Sequence, residues 1–101
     1  MYEKTDKKRL YWLMDMYLSG KIDAPTFCDE FYYCYDQELD REVVLTDKEL
    51  RAFEKLDVVS GRFSQYEEDH KLDPKAFFTE AQLKQAIIET EEELKEEKPV
   101  L

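Results

Sequence analysis

The sequence predicts an all-α protein, an antiparallel four-helix bundle, on three observations. Four segments carry apolar residues at spacings of three and four, the period of a helix with one buried face. Only 2 glycines and 3 prolines punctuate the 101 residues, too few for the repeated tight turns of a stranded fold. No segment alternates as a half-buried strand does. Val43-Val44-Leu45 is the one β-like run, and it is too short to make a sheet alone. The length allows a single domain over residues 1–101 with one core.

The first helix is expected over residues 6–19, with Leu10, Leu13, Met14, Tyr17 and Leu18 on its apolar face and Gly20 at its stop. The second, over 24–39, opens at Asp23 as N-cap with Pro25 in the first turn. Its stripe is Phe27, Phe31, Cys34, Tyr35 and Leu39, with Tyr32 and Tyr33 off it. The short link makes these two helices an antiparallel hairpin.

The third helix, over 47–63, starts at Thr46-Asp-Lys-Glu49, a capping box in which the hydroxyl and the carboxylate reciprocally satisfy free backbone donors. Leu50, Phe53, Leu56, Val59 and Phe63 then follow at helical spacing. The fourth, over 80–95, repeats the device with Thr79-Glu-Ala-Gln82 and turns Leu83, Ala86, Ile87 and Leu94 inward. Pro99-Val-Leu101 reads as a frayed tail. Residues 64–78 form the one long connection, without a pattern of their own.

Charge narrows the function. With 25 acidic against 15 basic residues the net charge is −10. A surface that tracks phosphates must be basic, so direct nucleic-acid binding is disfavoured, and anionic membranes with it. A basic protein partner fits, because long-range attraction speeds its encounter. No apolar run approaches the roughly 18 residues of a membrane span, and the N-terminal segment has no apolar signal region, so a cytoplasmic location is expected. Cys28 and Cys34 sit on different sides of one helix, and with His70 as the single histidine a Cys/His zinc site lacks ligands. Two reduced, packed thiols and no cofactor are expected.

The connection 64–78 is the candidate site. Long structureless loops in small domains are often functional, and this one holds Tyr66, Glu67, Glu68, Asp69 and Asp73. Three successive carboxylates can pair with lysines and arginines in a cleft built for phosphates. Tyr66 adds the large, nearly rigid contact area typical of interface anchors. Asp57, between Leu56 and Val58 on the third helix, is placed to join them, and Arg62 to hold the loop root against a carboxylate. The plainer account is a solvated linker, a helix acid and ordinary half-buried tyrosines, the last fitting Tyr32 and Tyr33 in particular. No nucleophile or pocket accompanies the carboxylates, so no enzyme is expected.

Four segments together resemble the family of the colicin D immunity protein, which includes immunity proteins of contact-dependent growth inhibition systems. They are Tyr17-Leu-Ser-Gly-Lys-Ile-Asp-Ala-Pro-Thr-Phe27, Leu45-Thr46, the Arg62–Phe63 pair before the acidic loop, and Thr79-Glu-Ala-Gln-Leu83. The resemblance spans Leu10–Leu94. It implies a helical protein, monomeric when free, that forms a heterodimer with one cognate basic nuclease toxin, an RNase acting on tRNA in the colicin D case. It also implies substrate mimicry, with acidic residues filling the cleft that would hold the RNA backbone. The corresponding positions are Glu67, Glu68 and Asp69, with Asp57 and Asp73 beside them. The rival expectation is an acidic adaptor, or a nucleic-acid mimic that inhibits some other basic protein.

Overall fold

A computed structural model describes residues 2–101; Met1, the first residue of the expected domain, lies outside the described residues. The order is α1 (Lys8–Leu18), α2 (Ala24–Tyr32) running on into a π-helical segment (Tyr33–Glu38), α3 (Arg41–Val44), α4 (Asp47–Gly61), α5 (Glu67–Leu72) and α6 (Glu80–Glu93). The fold is all-helical, and among the described residues there is no strand, only an isolated parallel bridge between Phe63 and Phe78.

The local start signals act as their chemistry requires. The Asp23 carboxylate accepts from the Thr26 amide at 2.9 Å. In both capping boxes the threonine hydroxyl accepts from the third residue of the helix, and the side chain of that residue accepts from the threonine amide. Gly20 ends α1 at φ +78°, a conformation that side chains with a Cβ rarely adopt.

The long helices converge on one core. α1 packs on α2 and α6, and α4 packs on the same two. Phe27, Phe31 and Tyr35 stack in series along α2 and the π segment, with centroids 5.6 and 5.4 Å apart. Phe53 of α4 closes on Phe31, Tyr35 and Tyr11. Leu83, Ile87 and Leu94 complete the core from the α6 side.

Glu49 is 0% exposed, although it belongs to a helix start. Its carboxylate accepts from Lys7 Nζ at 3.0 Å, from the Tyr11 hydroxyl and from the Thr46 amide. Burial alone would raise this carboxyl; those three donors outweigh it and hold the group below its ordinary value.

The structure corrects the sequence reading in three places. The connection 64–78 is not patternless, since Glu67–Leu72 coils as α5. Its helicity is not amphipathic: α5 has no buried residue and Leu72 is 83% exposed, so periodicity had nothing to register. Val43-Val44, a run too short to make a sheet, is helical as part of α3. The second helix widens into π geometry before Leu39, whose amide bonds back to the Cys34 carbonyl at 2.8 Å. The C-terminal tail is tied down, with Lys98 on Asp15 at 2.8 Å and the Tyr2 hydroxyl donating to the Leu101 carbonyl at 2.7 Å.

Candidate protein-binding face

The acidic segment is closed at its root by backbone. The Phe78 amide donates to the Arg62 carbonyl at 2.8 Å, and the Ser64 amide to the Phe78 carbonyl at 3.1 Å. These two bonds hold the ends of the segment together. Arg62 does this through its main chain alone. Its side chain is exposed and forms no ion pair among the described residues, so the expected carboxylate partner at the root is replaced by peptide groups.

Ser64 organises the interior of the segment. Its hydroxyl donates to Asp69 Oδ2 at 2.6 Å and accepts from the Tyr66 amide at 3.1 Å. Its carbonyl accepts from the His70 ring, with Nε2 at 2.9 Å. His70 in turn stands edge-on to Phe77, with centroids 6.4 Å apart. The single histidine is a staple between α5 and the residues around it.

These contacts sort the predicted carboxylates. Glu67, Glu68 and Asp69 all lie in the first turn of α5, where the helix dipole favours negative charge. Glu67 and Glu68 point to solvent, Glu67 with only a loose 3.5 Å pairing to Lys71. Asp69 is half-buried and has one oxygen bound inside the segment. Asp73 is exposed and accepts from the Lys75 amide at 3.1 Å, shaping the turn after α5. Tyr66, the N-cap of α5, is 60% exposed.

Asp57 is drawn into a different cluster. It meets Asp36 of the π segment, with Glu54 and Arg41 beside the pair. Arg41 binds Glu54 at 2.7 Å and approaches Asp36 at 3.7 Å. Burial, then the hydrogen bond and charge of Asp36, push the Asp57 carboxyl up to about 7 against the pull of Arg41. A second acid pair, Glu91 of α6 with Asp15 of α1, behaves alike: burial and Asp15 push Glu91 up to about 7, against the pull of Lys98.

A groove of about 440 Å³ runs beside the acidic segment. Tyr32 and Tyr33 reach it from α2 and the π segment, Gly61 from the end of α4, and Tyr66 and Asp69 from the segment itself. Tyr32 and Tyr33 are 48% and 45% exposed, so the off-stripe position of both in the sequence was the sign of an outward face. Asp36 and Asp29 carried no such sign, because their neighbours come from distant elements. Burial pushes the free Cys28 and Cys34 thiols up to about 12 and about 11, which keeps both protonated and unreactive at neutral pH.

Among the described residues no group of three metal-binding side chains converges, and no helix is long and apolar enough to cross a membrane. What the face offers is exposed carboxylates and tyrosines on a segment clamped at both ends, an arrangement suited to binding a protein. No curated protein and no solved structure matches the chain. Residues 8–94 match the sequence model of a family described as bacterial self-protective colicin-like immunity, over nearly the same span as the resemblance read from the four segments. With most of its length matched, the chain belongs to the bacterial self-protective colicin-like immunity family, and is an immunity protein whose partner is a toxin.

Proposed function

We propose that the toxin is a basic nuclease, an RNase acting on tRNA, and that this chain neutralises it by laying the face around residues 64–78 into its active-site cleft. The observation that carries the proposal is the exposure of Glu67 and Glu68 on a segment whose ends are pinned by the Phe63–Phe78 bridge. Carboxylates presented on a pinned segment forfeit little conformational entropy when they meet lysines and arginines. Tyr66 anchors the contact beside them, with Asp73 and Arg62 at its edges. Asp57 contributes through the Asp36 pair that borders α4. The four long helices, read as an antiparallel four-helix bundle forming one domain, supply the rigid base. The chain acts in the cytoplasm as a monomer until it forms a heterodimer with the toxin, and it catalyses nothing.

The test is protection. The gene immediately upstream is identified, the C-terminal domain of its product is co-expressed with the wild type or with Glu67→Lys/Glu68→Lys, and survival, RNA cleavage and complex formation are followed. The proposal expects a stoichiometric complex, intact tRNA with the wild type, and loss of both with the variant. Full protection by the variant would discard the acidic face. Binding to several unrelated basic proteins, abolished by moderate salt, would instead favour a general acidic adaptor or nucleic-acid mimic.

A further inference from the structure

We propose that the tyrosine-walled groove beside the acidic segment is a receptor for one arginine side chain of the toxin. This rests on the reading of the chain as a binder of a basic toxin and adds a second contact, distinct from the exposed glutamates.

Three features of the groove point to a guanidinium. The first is its shape: at about 440 Å³ it lies in the range of sites that enclose a small ligand, roughly 300–1,000 Å³. The second is its walls. Tyr32, Tyr33 and Tyr66 are largely exposed and take no part in the core, and Tyr32 and Tyr33 stand edge-to-face with centroids 5.8 Å apart. Aromatic faces attract cations, and Lys4, from outside the groove, already lies over the Tyr33 ring at 5.3 Å.

The third feature is charge. The lining carries two carboxylates, Asp29 and Asp69, and no lysine or arginine. The Asp69 carboxylate spends Oδ2 on Ser64 and has Oδ1 left to accept from a partner. A planar guanidinium matches these walls better than an ammonium, because it stacks on a ring while its edge donates to a carboxylate.

Gly61 supplies the means of testing the groove. A Cβ built there meets nothing within 4 Å and its backbone is not left-handed, so a side chain can begin there without a clash at Cβ or backbone strain. Amide shifts of the protein are followed by NMR while it is titrated with acetyl-Gly-Arg-Gly-amide, and with the lysine and citrulline counterparts. The arginine peptide should give saturable shifts around Tyr33, Gly61 and Tyr66, with weaker shifts from lysine and none from citrulline. Gly61→Trp should weaken arginine binding by about tenfold or more, the scale of an interface hot spot, and so should Tyr33→Ala. Glu67→Lys/Glu68→Lys should leave groove binding in place.

Absence of saturable shifts at the groove would overturn the inference. So would equal shifts from citrulline, or unchanged affinity in folded Gly61→Trp and Tyr33→Ala. The two proposals fail separately. Arginine binding in the groove together with full protection by the glutamate variant would remove the acidic face alone. Loss of protection in that variant without groove binding would remove the groove alone.

Discussion

The hydroxyl of Ser64 donates to the carboxylate of Asp69 at 2.6 Å, so one of the three successive acids of the segment 64–78 is an internal brace. The same oxygen accepts from the Tyr66 amide, and its loss would leave that amide without its acceptor. Ser64→Ala should therefore lower stability by about 1 kcal/mol. Amide hydrogen exchange should quicken over residues 66–72 and stay unchanged in α1. Uniform quickening across the chain would show that the brace is not local.

Glu67 and Glu68 touch nothing that the fold depends on. Glu67→Lys/Glu68→Lys should change stability by no more than about 0.5 kcal/mol. Its association rate with a basic toxin should fall by about tenfold or more at low salt, with the gap closing as salt rises. Stopped-flow binding at several ionic strengths measures this. A slower encounter that salt does not affect would point to lost shape rather than lost charge.

Glu49 is the most consequential acid for folding. Removing it strands Lys7, the Tyr11 hydroxyl and the Thr46 amide together. Glu49→Ala should cost about 3 kcal/mol or more in denaturant unfolding. The carboxyl lies below 4.5 in the folded chain, so its stabilisation is complete above 4.5 and is lost as pH falls through the lowered value. Glu49→Gln should flatten that acid limb. A limb of unchanged steepness would assign acid unfolding to other groups.

Asp57 has the opposite sign. Its folded value of about 7 exceeds its ordinary 3.8, so between those values the folded chain holds a proton that the unfolded chain has released. The contribution is full below 3.8 and is lost as pH rises through 7. Glu91, also raised to about 7 from 4.5, adds to the same decline. Asp57→Asn should raise stability at pH 8 by about 1 kcal/mol, after allowance for the solvent that reaches the pair. Thermal melts from pH 4 to pH 8 should show a shallower slope in the variant, and an equal slope would remove Asp57 from the account.

Elements that depend on neighbours in sequence were legible from the sequence. Thr46 with Glu49, Thr79 with Gln82, and Asp23 with Thr26 lie three residues apart, within reach of one side chain, so residue types alone specify those helix starts. The stripe Phe27, Phe31, Cys34 and Tyr35 likewise follows from helical period, and all four are fully buried. The family was legible too, because its pattern lies in the order of such local segments along the chain.

Tertiary structure decided what depended on residues far apart in sequence. It drew Asp57 to Asp36, buried a capping glutamate against Lys7 and Tyr11, and coiled Glu67–Leu72 with Ser64 and His70 in place of an apolar stripe. It also turned three tyrosines from two distant segments onto one groove. Propensity and capping act over one turn of helix, where the sequence shows both partners at once. A shared proton, a buried ion pair or a groove needs groups that only long-range packing brings within a few ångströms of one another.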